Sequence, residues 1–218
     1  NQEFTGEDGE PRLLGKINKE GLGQEPYSDW FKPTYEAYEP DTTLAGELRN
    51  ALDDYKIEVF MGTWCSDSQR EVPQLIRLLE TIDFPPEQFE IIAIDDAEAQ
   101  YKQSPQGQEK GKNIHHVPTV IFLKDGKEIN RIVEYPRETL EADIVKILKG
   151  AYTPYYNTAN QVDKRLNAEG LESFVNDLDK LAGVYKGGPD NYYELNTYSK
   201  VLFYSGKQDA AIAVARLN

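Results

Sequence analysis

The chain has 218 residues, of which 39% are hydrophobic, enough for one core-bearing domain with appendages and against wholesale disorder. Its 38 acidic and 24 basic side chains give a net charge of −14. A surface of that sign repels phosphate backbones and anionic lipid, so no nucleic acid and no anionic membrane is expected as a partner.

Residues 1 to 40 read as an irregular extension, punctuated by Gly6, Gly9, Pro11, Gly15, Gly21, Gly23, Pro26, Pro33 and Pro40. Tyr27, Trp30, Phe31, Tyr35 and Tyr38 lie in the same stretch. A free tail rarely carries so many aromatics, so the extension is expected to pack on the domain C-terminal to it. Thr42 or Thr43 can cap a helix reaching about Tyr55, with Leu44, Leu48 and Leu52 one turn apart. Ile57 to Met61 reads as a buried strand, and Gly62 to Ser68 as a turn into a helix. That helix puts Val72, Leu75, Ile76, Leu79 and Ile82 on one face. Phe89 to Ile94 is a second buried strand, and residues 101 to 114 read as a polar surface excursion carrying Lys102, Lys110 and Lys112. Thr119 to Leu123 and Glu128 to Val133 flank Asp125-Gly126, a strong hairpin signal. Arg137 to Lys149 is a helix with acids at its start, lysines at its end and Gly150 as its stop.

This order predicts an α/β fold with a mixed sheet over residues 41–152. Residues 153–218 form a C-terminal helical segment, marked by Leu171, Phe174, Val175, Leu178 and Leu181 and then by Leu195, Tyr198 and Leu202. Tyr198, Leu202, Gly206, Ala211 and Ile212 suit one tetratricopeptide helix pair, but a lone repeat cannot bury itself, so a plain helical cap on the preceding domain is expected. No apolar run approaches the roughly 20 residues of a spanning helix. The start at Asn1-Gln2-Glu3, without Met, fits a clipped signal peptide and favours an exported location.

Cys65 is the only cysteine, so neither an intrachain disulfide nor a dithiol CxxC pair can form. Its context is specific. Trp64-Cys65-Ser66-Asp67-Ser68 stands between a strand and a helix, and Pro73 lies inside that helix. Val117-Pro118-Thr119 leads into the hairpin whose glycine is Gly126. Residues 41 to 150 thereby resemble the thioredoxin family. Residues 10 to 150 resemble, more narrowly, a branch from Bacteroidetes-type bacteria with an aromatic lead-in such as Trp30-Phe31-Lys32-Pro33 and a Gly-Thr-Trp-Cys-x-Asp-Ser site.

The resemblance implies a thioredoxin fold, with a mixed central sheet flanked by helices. It implies that Cys65 is the nucleophile, sheltered by Trp64 and facing a cis Val117–Pro118 bond whose Val117 backbone pairs with substrate. A thiol at a helix mouth meets unpaired N–H groups and the positive dipole end, which favour the reactive thiolate. Departures from the family pattern matter equally. Ser68 replaces the resolving cysteine. It either forms a capping box with Glu71 or also donates to the thiolate. Asp67 opposes thiolate formation by its charge, or simply serves the helix dipole. Val59 stands where the family has a buried carboxylate, and Glu58 falls on the opposite strand face, so the family's proton relay is expected to be absent. Glu134 replaces the family's bulge glycine.

His115-His116 reads as a surface pair, since adjacent residues of an extended chain point opposite ways. One histidine and one cysteine are too few for a closed zinc site, so no metal and no cofactor is expected. One of the two could act as a base near the sulfur.

Three functions are compatible with these residues. A monothiol exchanger would take a disulfide-containing protein or a small thiol such as glutathione, in isomerisation or deglutathionylation. A non-catalytic binding module would hold a protein partner through the Pro118 groove and the C-terminal helices. A one-Cys peroxide sensor would pass through sulfenic acid.

Overall fold

The computed structural model describes residues 1–218. The chain opens with β1 (Gln2–Thr5), β2 (Pro11–Ile17), α1 (Lys19–Leu22), α2 (Ser28–Ala37) and α3 (Thr42–Leu48). Then come β3 (Tyr55–Met61), α4 (Ser66–Thr81), β4 (Phe89–Ala93), β5 (Thr119–Lys124), β6 (Lys127–Val133) and α5 (Leu140–Leu148). The C-terminal part holds α6 (Asn157–Glu169), α7 (Leu171–Asn176), α8 (Leu178–Tyr185), α9 (Glu194–Tyr204) and α10 (Gln208–Leu217).

The strands form one six-stranded sheet in the order β1-β2-β4-β3-β5-β6. β3 and β4 run parallel, and the other neighbours are antiparallel. The sheet and its helices make a mixed α/β fold of thioredoxin type, with a helical segment after it. β3 reads as an unbroken apolar run because both its faces are covered. Ile57, Val59 and Met61 join the main core with β4 and the helices, while Phe60 turns to Ile92, Ile114, Val117 and Ile121 on the other face. α4 buries Val72, Leu75, Ile76 and Leu79 against the main core. Asp125 and Gly126 both take positive φ, 51° and 72°, as the tight β5–β6 hairpin requires.

Two of the expected elements need correction. Residues 1 to 40 are not irregular: β1 pairs with β2, and β2 pairs with β4 inside the sheet. Within β2, Gly15 takes φ +76° and Leu13 and Leu14 are both buried, so the sequence shows no period-two alternation. Tyr27 and Phe31 are buried in the main core, with Trp30, Tyr35 and Tyr38 packed against it. The helix expected from Thr42 to Tyr55 stops at Leu48. Asp41 is its cap, accepting from the Thr43 and Leu44 amides, and the chain turns at Asn50 with φ +68°. Leu48 and Leu52 are buried all the same.

The C-terminal helices are more than a cap. Phe174, Leu181, Leu195, Tyr198, Leu202 and Val214 belong to a second apolar core separate from the first. Contacts between this bundle and the rest mix hydrogen bonds with aromatic packing: Gln103 Nε2 donates to the Tyr204 carbonyl (3.0 Å), His115 Nε2 meets Asn160 Oδ1 (3.0 Å), and the Tyr101 and Tyr204 rings lie 6.1 Å apart. No helix is long and apolar enough to cross a membrane.

Candidate active site around Cys65

Cys65 ends the turn after β3 and is the N-cap residue of α4, half-buried, with extended backbone at φ −94° and ψ 121°. Its thiol donates to the Val117 carbonyl (3.3 Å), and the Val117–Pro118 bond is cis. The strand after Pro118, β5, lies beside β3, so sheet pairing is what brings these two distant segments together. Trp64 packs against the apolar cluster of Phe60 and Ile94 and donates from Nε1 to the Ile94 carbonyl (2.9 Å). Its ring is thereby fixed over Gly62 in the site turn. Thr63 is buried and accepts from the Leu13 amide of β2 (3.3 Å), which ties the site turn to the N-terminal strands.

Ser68 is fully buried, one turn into α4, and its Oγ accepts from the Gly62 amide (3.2 Å). The S-x-x-E pattern makes no capping box, because Cys65 and not Ser68 is the N-cap. Glu71 pairs instead with Arg70 (2.6 Å). Asp67 pairs with the same guanidinium (2.7 Å), so its charge is shared with Arg70 rather than aimed alone at the sulfur. Glu58 lies on the strand face opposite Val59 and is buried. Burial raises its pKa, yet Lys112 and Lys56 together hold the carboxyl below its ordinary range.

The 101–114 excursion and the histidine pair depart most from expectation. Lys102 is not on the surface. Only 7% of it is exposed, and its ammonium lies 5.3 Å from the Trp64 ring centre and 5.1 Å from that of Tyr101. Burial pulls its pKa down to about 8, against the opposing charges of Cys65 and Glu134. His115 is fully buried and His116 is stacked on Tyr156, the rings 3.8 Å apart and nearly parallel. The chain bends there, so the two rings face each other, with Nδ1 atoms 2.7 Å apart. Because Asn160 Oδ1 accepts from His115 Nε2–H, His115 Nδ1 is the acceptor and His116 Nδ1 the donor. Both imidazoles are neutral: burial drives His115 down to about 3, and burial with the neighbouring His115 drives His116 to about 2. No group of three or more His, Cys, Asp or Glu side chains converges as a metal site.

Glu134 adopts a left-handed backbone, with φ +67°, and its amide donates to the Pro118 carbonyl (2.7 Å). Tyr156 donates its hydroxyl to the Glu134 carboxylate. Burial raises the carboxyl's pKa, and that hydrogen bond only partly offsets it. Tyr135 and Tyr155 pack together beyond it (4.8 Å), with the Arg137 guanidinium over Tyr155 (4.0 Å). Sequence reasoning missed Lys102, Tyr155 and Tyr156 as site residues. The cluster Tyr152, Tyr155 and Tyr156, just past Gly150, was the signal for the tyrosines. Nothing local marks Lys102.

A mixed sheet carrying a cysteine at a helix mouth, opposite a proline before the hairpin, defines a thioredoxin-like protein. A family model described as thioredoxin matches residues 24–149, and the chain belongs to that family. Among solved structures, an HIV epitope-scaffold is 18% identical, with 60% of this chain and 79% of that one covered at a TM-score of 0.40. A Pseudomonas aeruginosa protein of unknown function is 17% identical, with coverages of 61% and 80% and the same TM-score of 0.40. No curated protein matches the chain.

Proposed function

We propose that the chain is a monothiol thiol–disulfide exchanger of the thioredoxin family, in the Bacteroidetes-type branch that its aromatic lead-in and Gly62-to-Ser68 site resemble. The observation that carries this reading is the half-buried Cys65 at the mouth of α4, its sulfur 3.3 Å from the Val117 carbonyl beside Pro118. A helix N-terminus favours the thiolate. The Cys65 thiolate attacks one sulfur of a disulfide. A new S–S bond forms at Cys65, the old one breaks, and the departing thiolate takes a proton from water. With Ser68 where a resolving thiol would stand, release requires attack by a second thiol from substrate or from a small molecule such as glutathione. That stoichiometry suits isomerisation or deglutathionylation rather than net dithiol reduction. Val117, whose carbonyl lies 3.3 Å from the sulfur, and Trp64, next to Cys65 in the chain, would contact the bound disulfide, while Asp67 would moderate the local charge through its pairing with Arg70.

The test is the mass of the protein after incubation with oxidised glutathione at neutral pH. Wild type should gain one glutathione at Cys65, and Cys65→Ser should gain none while still folding. Ser68→Cys places a second thiol at the third residue of the helix, within bridging range of Cys65, and should restore insulin turnover without added thiol. A wild type that forms no adduct, together with an inert Ser68→Cys, would remove the exchange reading. The tyrosines around Pro118 would then point to a non-catalytic module that binds an extended peptide.

A further inference from the structure

Tyr156 lies outside residues 24–149, which match the thioredoxin model, yet it touches both flanks of the loop that carries Val117 and Pro118. On the side before Val117, its ring stacks on His116, the centres 3.8 Å apart and the planes 4° off parallel. On the side after Pro118, its hydroxyl donates to the carboxylate of Glu134, the residue whose amide donates to the Pro118 carbonyl (2.7 Å). A second tie reaches the same loop from α6, the helix that Tyr156 begins: Asn160 Oδ1 accepts from His115 Nε2–H (3.0 Å), and His115 Nδ1 accepts in turn from His116 (2.7 Å). Tyr156 is itself held against a preference of its backbone. It is buried, and it is left-handed at φ +55° and ψ 35°, a region that disfavours side chains. Such a conformation persists only where the surroundings over-determine it, and it concentrates where geometry serves function. Here the surroundings are a chain of three bonds. The Tyr156 amide donates to Asp190 Oδ2 (2.5 Å), the Asp190 amide donates to Glu194 Oε2 (2.7 Å), and Glu194 Oε1 accepts from the Ala159 amide of α6 (2.7 Å). Glu194 is fully buried, so this chain is anchored inside the helical segment.

We propose that Tyr156 is a positioning residue that braces the Val117–Pro118 loop from both flanks, so that the Val117 backbone stands in place to pair with the chain of an incoming disulfide. The inference rests on the exchange reading and adds to it a part played by the C-terminal helical segment. Pairing with an extended chain needs the loop's backbone groups in position before the chain arrives, because a loop ordered only on binding weakens that binding. The contacts of Tyr156 go to His116 and Glu134, not to the sulfur. Loss of the brace therefore falls on the capture of peptide disulfides and spares the nucleophilicity of Cys65. A residue that only supported the fold would not separate the two.

The experiment compares two rates at Cys65 in the full chain at neutral pH, for wild type, Tyr156→Leu and Tyr156→Phe. One is exchange with a short unstructured peptide whose single cysteine carries a thionitrobenzoate disulfide, read by the coloured thiolate released. The other is alkylation by iodoacetamide, which needs the thiolate but no backbone pairing. Tyr156→Leu removes the ring and the hydroxyl and should slow peptide exchange about tenfold. Tyr156→Phe keeps the ring on His116, loses only the bond to Glu134 and should slow exchange about threefold. Alkylation should be no slower than wild type in either. Tyr156→Phe alone decides the matter if the leucine variant fails to fold by circular dichroism. The brace acts through both contacts, so a wild-type exchange rate in either folded variant overturns the inference and leaves the exchange reading intact. Exchange and alkylation that slow in parallel overturn it too, since the thiol itself is then disturbed. A wild type that alkylates normally yet releases no thionitrobenzoate removes the exchange reading, and the inference with it.

Discussion

Deleting residues 1 to 40 should abolish folding of the sheet, not merely soften it. Leu13, Leu14 and Ile17 of β2, Leu22 of α1, and Tyr27 and Phe31 at and within α2 are all buried. Burying one such side chain is worth about 1.5–3 kcal/mol. Together they contribute on the order of 10 kcal/mol, which rivals the roughly 5–15 kcal/mol that is the whole stability of a typical domain. The deletion also strips β4 of its β2 partner and leaves Thr63, in the site turn, without the Leu13 amide. Residues 41–152 are therefore proposed as the thioredoxin-like unit only in company with the strands that precede them. A graded version is Phe31→Ala, which removes a ring stacked on Tyr35 at 5.7 Å in the main core. That change should cost about 3–5 kcal/mol and lower the melting temperature by roughly 6–20 °C. Circular dichroism melts of the full chain, Phe31→Ala and the chain from residue 41 onward make the comparison. A chain from residue 41 that melts cooperatively at the full-length temperature would refute the reasoning.

Two further outcomes are expected. His115 has a folded pKa depressed to about 3 by burial, so the neutral ring contributes stability that is present above the unfolded value of about 6.5 and lost as pH falls towards 3. The stability advantage of wild type over His115→Gln, read by urea denaturation, should therefore shrink on acidification below about pH 6.5, and parallel curves would contradict it. Tyr198→Phe leaves Asp163 without the hydroxyl that donates to it at 2.7 Å and should cost about 1–3 kcal/mol in a urea melt; a cost under a few tenths would mean the Asp163 carboxylate is satisfied by water instead.

The elements legible in the sequence are those whose period survives burial. β3, β4, β5, β6, α4 and α5 are readable from runs such as Ile57 to Met61 and from faces such as Leu140, Ile144 and Ile147, with boundaries off by a few residues. β2 is not readable, because Pro11, Arg12 and Gly15 interrupt its pattern, and Arg12 is buried by virtue of Asp95 and Asp96, which the sequence does not place nearby. At the site, Cys65, Trp64 and Val117-Pro118 stand out because their types and order are unusual together. Lys102, His115 and His116 do not: polar side chains become interior only through partners that arrive from elsewhere, here Asn160 and Tyr156 beyond Gly150 and the Trp64 ring. Periodicity cannot report such partners.

The two borders of the sheet bear on self-association. β1 is four residues long and carries Gln2 and Glu3, while β6 is longer and exposes Ile129. An unpaired strand of that length is a template on which other chains can stack into fibres. The segment after α5 lies alongside it: the Asn130 side chain of β6 donates to the Tyr152 carbonyl (3.0 Å), and Arg137 holds the Thr153 and Pro154 carbonyls. Lys127 and Glu128 add charge at the start of the strand. Loss of those few carbonyl contacts would free the stretch from Tyr152 to Pro154 from its place beside β6, and an increase in aggregation on Asn130→Ala, read by light scattering, is the expected consequence.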